Sequence, residues 1–154
     1  DTLEKVYTDY VKEGKVRIVY KDFQFLGPDS TDAGLFARAV WDAHPDKFHD
    51  WYMAVMTAQD EEHAGFGNLA SVAELSRTVD GIDVDRVLKL VSENKTTYQK
   101  AMDADRAEAQ SFGIKGTPGA IIGTTVIGGA QPYLSTGRPG EQSVKDLIEA
   151  ELNK

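Results

Sequence analysis

Few side chains in this sequence could do chemistry, and sulfur is the largest omission: there is no cysteine. That excludes internal disulfides, thiolate metal sites and thiol catalysis within these residues. It leaves the compartment open, because a cysteine-free chain suits reducing and oxidising surroundings alike. His44, His49 and His63 have no i, i+4 partner, so they are expected to be solvated or to cap backbone rather than to bind metal. Asp60-Glu61-Glu62-His63 has the donor types of a metal site, but a charged loop run is ordinarily just solvated. Gly113-x-x-Gly116-x-x-Gly119 lacks both the preceding strand and the Gly-x-Gly spacing of a nucleotide loop. No Gly-x-Ser-x-Gly elbow is present. Asn94-Lys95-Thr96 fits a glycosylation sequon, a pattern that short sequences often meet by chance. What remains is Gly116-Thr117-Pro118, where the tertiary amide before proline makes a cis bond accessible. The bare tripeptide predicts trans, since only about 5–6% of such bonds in folded proteins are cis.

The elements that must position this corner can be read from hydrophobic period. Leu3, Val6, Tyr7, Tyr10 and Val11 fall on one helical face, which Gly14 ends. Val16-Arg-Ile-Val-Tyr20 alternates as a strand near a sheet edge does. A loop from Asp22 to Ser30 holds Gly27-Pro28, with Asp29, Ser30 or Asp32 as candidate caps for the next helix. From there to about Phe112 no convincing strand is found. The apolar stripes predict helices around Leu35–Val40, broken before Pro45, and around Phe48–Met56. A third runs from Leu69 to Val79 and is closed by Asp80-Gly81; a fourth covers Val84–Val91, and a fifth Lys95–Phe112. Trp41, Phe48, Trp51 and Tyr52, at helical spacing, are most simply helix–helix core, with a peptide groove lined by some of them as the alternative. After the Gly116–Pro118 corner come short strands at Ala120–Ile122 and Val126–Ile127 around a Gly-Thr-Thr turn, a polar loop over Ser135–Gly140, and a last helix facing inward through Val144, Leu147, Ile148 and Leu152.

The 154 residues suit one domain with its own core, at 41% hydrophobic and 27% charged content. A net charge of −8 argues against nonspecific nucleic-acid binding, which needs a basic footprint. No apolar run approaches the ~20 residues that cross a bilayer as a helix.

The order helix, Gly-Thr-Pro, hairpin, helix resembles the C-terminal half of a thioredoxin fold. The wording Phe112-Gly-Ile-Lys-Gly-Thr-Pro-Gly-Ala-Ile-Ile122, with Gly129-Ala-Gln-Pro-Tyr133 closing the hairpin, is similar to the DsbA family of thiol-disulfide oxidoreductases. Tyr10 to Phe23 resembles the segment that follows that family's active-site helix. Leu26-Gly-Pro-Asp-Ser30 and Asp46-Lys-Phe-His-Asp50 resemble a secreted bacterial subgroup with a helical insertion.

The resemblance implies an α/β, thioredoxin-like domain over 1–154, with an all-helical insertion over 31–112. It implies that Thr117–Pro118 is cis, and that Gly116, Thr117 and Pro118 hold an extended peptide by strand addition. Partners would be unfolded or extended protein substrates and a redox partner protein, in a periplasmic or otherwise extracytoplasmic location, with no cofactor and no metal. The family's catalytic Cys-x-x-Cys, and the central strand before it, are expected before Asp1; the strand would lie between Val16–Tyr20 and Ala120–Ile122. The chain as written is therefore expected to be inactive in disulfide exchange. The alternative is a redox-inactive peptide-binding or protein-interaction module of the same fold.

Overall fold

A computed structural model describes residues 2–61 and 66–154. Its helices are α1 (Thr2–Val6, continued by a π-helical turn over Tyr7–Val11), α2 (Pro28–Ala43), α3 (Phe48–Ala58, after a 3-10 turn at Pro45–Lys47), α4 (Leu69–Ser76), α5 (Val84–Ser111) and α6 (Val144–Leu152). Strands β1 (Gly119–Ile122) and β2 (Thr125–Gly128) pair antiparallel, with Ala120 opposite Ile127 and Ile121 opposite Val126. The chain divides into two compact units, Asp1–Lys21 with Ala107–Lys154, and Asp22–Arg106.

In the first unit, Val6, Tyr10, Tyr133 and Ile148 form the core, with Val16, Ile18, Ile122 and Val144 packed against it. Polar groups tie the same residues together. Tyr10 donates its hydroxyl to Glu149 Oε1 at 2.6 Å, and Tyr133 donates to Asp9. Burial, then the Glu149 contact, pushes the Tyr10 phenol up; the Asp9 contact, then burial, does the same for Tyr133. Ser143 caps α6, accepting from Asp146 N at 3.2 Å and donating to Tyr133 O at 3.1 Å.

The second unit is helical, without a strand among its described residues. Leu35, Phe36, Val40, Val72, Val87 and Met102 are among its fully buried side chains. Trp51 Nε1 donates to Ser76 Oγ at 2.7 Å, and Ser76 Oγ in turn donates a hydrogen bond to Val72 O at 2.6 Å. Asn68 caps α4 by accepting from Ala70 N and Ser71 N. Arg38 bridges Asp22, at 2.7 Å, and Asp105.

Several boundaries differ from the expectation. Val16–Tyr20 is not a strand: it pairs with neither β1 nor β2, and a strand exists only through a partner's hydrogen bonds. Its alternation survives as burial, with Val16, Ile18 and Tyr20 half-buried and Arg17 and Val19 exposed. The expected fourth and fifth helices are the single helix α5, because Ser92-Glu93-Asn94 contains no glycine or proline to stop it. Helix α2 starts at Pro28, capped by Gly27 rather than by Asp29, Ser30 or Asp32; a proline at the first helical position gives up an N–H that would have no partner there. Helix α4 stops at Ser76, which leaves Val79 outside it.

Candidate functional site

The end of α5 sets up the corner. Gly113 takes a left-handed φ of 80° and donates to Gln110 O at 2.9 Å, while Ile114 reaches back to Ala109 O at 3.0 Å. This pair of bonds is a Schellman closure, and a glycine at that position avoids the Cβ penalty of positive φ. The chain leaves the helix through half-buried Ile114 and exposed Lys115 to reach Gly116-Thr117-Pro118. The Thr117–Pro118 bond is cis. Gly119 then opens β1 where there is no room for a side chain: a Cβ there would meet Ile114 Cγ2 at 2.8 Å.

Folding of the hairpin brings the end of β2 back to this corner. Gly129 donates its N–H to the Pro118 carbonyl at 2.9 Å. Residues 113–118, with Val126, Gly128 and Gly129, line a cavity of about 350 Å³. Thr117 is exposed on that lining, and its N–H and C=O are bonded to no described residue. The site can thus offer a donor and an acceptor from one residue, beside an apolar wall of Ile114, Pro118 and Val126. No thiol accompanies them.

The structure therefore brings Gly116, Thr117 and Pro118 together on one cavity. The sequence reading missed Val126, Gly128 and Gly129 as cavity residues; the signal was the short Gly-Thr-Thr turn, which forces β2 back along β1. The other candidates are structural. His44 Nε2 accepts from Asp83 N at 3.1 Å, at the residue just before α5 begins. His49 is buried within α3, and Asn94 sits inside α5. Asp60 accepts from Phe66 N at 3.2 Å, whereas Glu62 and His63 lie outside the described residues. Among the described residues no cluster of three metal-ligating side chains is found. Phe48 and Trp51 are core, with Phe48 touching Trp41, Trp51 and Tyr52, although Trp41 itself is exposed. A second hollow, of about 270 Å³, holds Gln24, Asp103 and Arg106; there Gln24 Nε2 donates to Asp103 at 3.2 Å.

A family model described as thioredoxin matches residues 1–138. The chain belongs to the thioredoxin family. The relatives it resembles are named disulfide bond formation proteins. Disulfide bond formation protein D of Bacillus subtilis (strain 168) is 22% identical over 152 residues, covering 99% of this chain and 64% of that protein. The probable disulfide bond formation protein D of Bacillus anthracis is 22% identical over 153 residues, with 99% and 65% covered. The chain thus spans a little under two thirds of the length of these relatives. The crystal structure of oxidised BdbD from Bacillus subtilis superposes with a TM-score of 0.79 at 21% identity, over 100% of this chain and 78% of that one. At that identity the likeness establishes the thioredoxin-like α/β fold. No helix among the described residues is long and apolar enough to cross a membrane.

Proposed function

We propose that these residues form the substrate-holding part of a DsbA-like thiol-disulfide oxidoreductase acting on unfolded or extended extracytoplasmic proteins. A substrate segment lies along Gly116-Thr117-Pro118 and pairs with Thr117 by strand addition. One observation carries this reading: the Thr117 N–H and C=O, on an exposed cavity, are bonded to no described residue, while the next carbonyl, that of Pro118, is already bonded to Gly129. The printed names of the relatives, disulfide bond formation proteins, support the reaction class.

Disulfide exchange needs a thiolate that attacks one sulfur of a disulfide, forms a mixed disulfide and expels the other sulfur as a thiolate. Nothing in these 154 residues supplies that sulfur. In the proposal, residues outside them carry the Cys-x-x-Cys, a redox partner protein resets it, and the helical stretch 31–112 is an insertion in the same domain. A second reading is favoured by the absence of cysteine itself: a redox-inactive module that only binds extended polypeptide.

Two measurements test this. Adding a reduced and alkylated, unfolded protein to the ¹⁵N-labelled chain should move the amide signals of residues 116–117 and 128–129; shifts confined to other residues would remove the groove from the proposal. Oxidative refolding of a reduced substrate by the 154 residues should match buffer alone, and a catalytic rate would contradict the need for a thiol. The coding sequence upstream of Asp1 separates the two readings by the presence or absence of a Cys-x-x-Cys.

A further inference from the structure

Resting on the groove reading above, we infer that Lys115 makes the groove selective, favouring extended segments that carry a carboxylate. Lys115 is the charged residue on the lining of the cavity, it is exposed, and it forms an ion pair with no described carboxylate. Apart from the uncharged Thr117, the rest of the lining is apolar or glycine, which leaves Lys115 as its means of telling one charge from another.

The groove is also shaped for bulk on the ligand's side. A Cβ built at Gly113, Gly116, Gly128 or Gly129 would meet no atom within 4 Å. These positions leave open space over Val126, which is 41% exposed and sits opposite Ile121, itself 43% exposed. An apolar ligand residue covers that pair while an acidic neighbour reaches Lys115. Gly128 lies two residues from Val126 on the same strand face, so a side chain there occupies the ligand's space.

The test uses the 154-residue chain and a set of short, unstructured peptides. Each carries apolar residues and one variable position, Glu or Lys, scanned along the peptide; binding is read by fluorescence anisotropy at low ionic strength. At one scan position the Glu peptide should bind about two- to five-fold more tightly than the Lys peptide, the scale of one exposed ion pair. Lys115→Glu should invert that preference, and added salt should erase it. Gly128→Val should abolish binding of both peptides while leaving the circular dichroism unchanged. Equal binding of Glu and Lys peptides at every position, or a preference that survives Lys115→Glu, overturns the role of Lys115 and leaves the groove reading standing. Failure of every peptide to bind the wild-type chain overturns both.

Discussion

The two units solve the same packing problem to different degrees. The helical unit, 22–106, takes Leu35, Phe36, Val40, Val72, Val87 and Met102 out of water, leaves Phe25, Trp41 and Met56 exposed, and spends its polar groups on internal bonds: Trp51 to Ser76, Tyr98 to Asp42 at 2.7 Å, Arg38 to Asp22 and Asp105. The unit that carries the groove buries fewer, Val6, Tyr10, Ile127, Tyr133 and Ile148, and leaves Val19, Ile121, Val126 and Leu134 in contact with solvent. Its sheet is a two-stranded hairpin, an arrangement with little stability of its own without helices to pack on. The contrast teaches where function can sit. Free backbone groups and exposed apolar surface are liabilities in a core, and here they gather on the less tightly packed unit, which is where a ligand can use them.

The comparison can be broken most easily at its strong end. Phe36→Ala empties a fully buried site and should cost about 3–5 kcal/mol, measured as a shift of the urea midpoint followed by far-UV circular dichroism. Ile127→Ala, beside an open hairpin that can relax, should cost only about 2 kcal/mol by the same measurement. A loss at Ile127 equal to that at Phe36 would mean that the groove-bearing unit is packed as tightly as the other.

Smaller changes sharpen it. Asn68→Ala removes both cap bonds of α4 and should cost about 1 kcal/mol, visible as earlier fraying of that helix in amide exchange. The mildest signal is alkaline. Burial, then the bond to Asp42, pushes the Tyr98 phenol up to about 12, against about 10 in an unfolded chain. Between those values the folded state holds the proton that the unfolded state releases, so stability is intact below pH 10 and falls as pH rises toward about 12. Tyr98→Phe should flatten that fall in a pH series of urea melts; an unchanged slope would show that Tyr98 ionises alike in both states.

Much of the fold was legible because it rests on local rules. The stripe at Phe48–Met56 predicts α3, and the glycines around Ala120–Ile127 predict the hairpin, since period and turn chemistry act within a few residues. Val16–Tyr20 misled because alternation reports which side of a segment is buried, not whether another strand lies alongside. The join at Ser92–Asn94 hides the single helix because its polar residues interrupt the apolar stripe, whereas only glycine or proline reliably stops a helix. At the site, the corner residues were readable from type and order. Val126, Gly128 and Gly129 were not, because their place on the cavity depends on a hairpin that folds Gly129 back onto Pro118.

The chain's two tryptophans, Trp41 and Trp51, both belong to the 22–106 unit. Trp51 lies against Phe36 at 6.0 Å and is nearly sealed, whereas Trp41 is 54% exposed. Intrinsic emission therefore has a blue, protected component and a red one that acrylamide can reach, and a quencher titration should level off at the light from Trp51. The groove-bearing unit contributes tyrosines only. A melting curve recorded at tryptophan wavelengths follows the helical unit and is blind to the groove, so an opening of the hairpin passes unseen unless a label is placed beside Thr117.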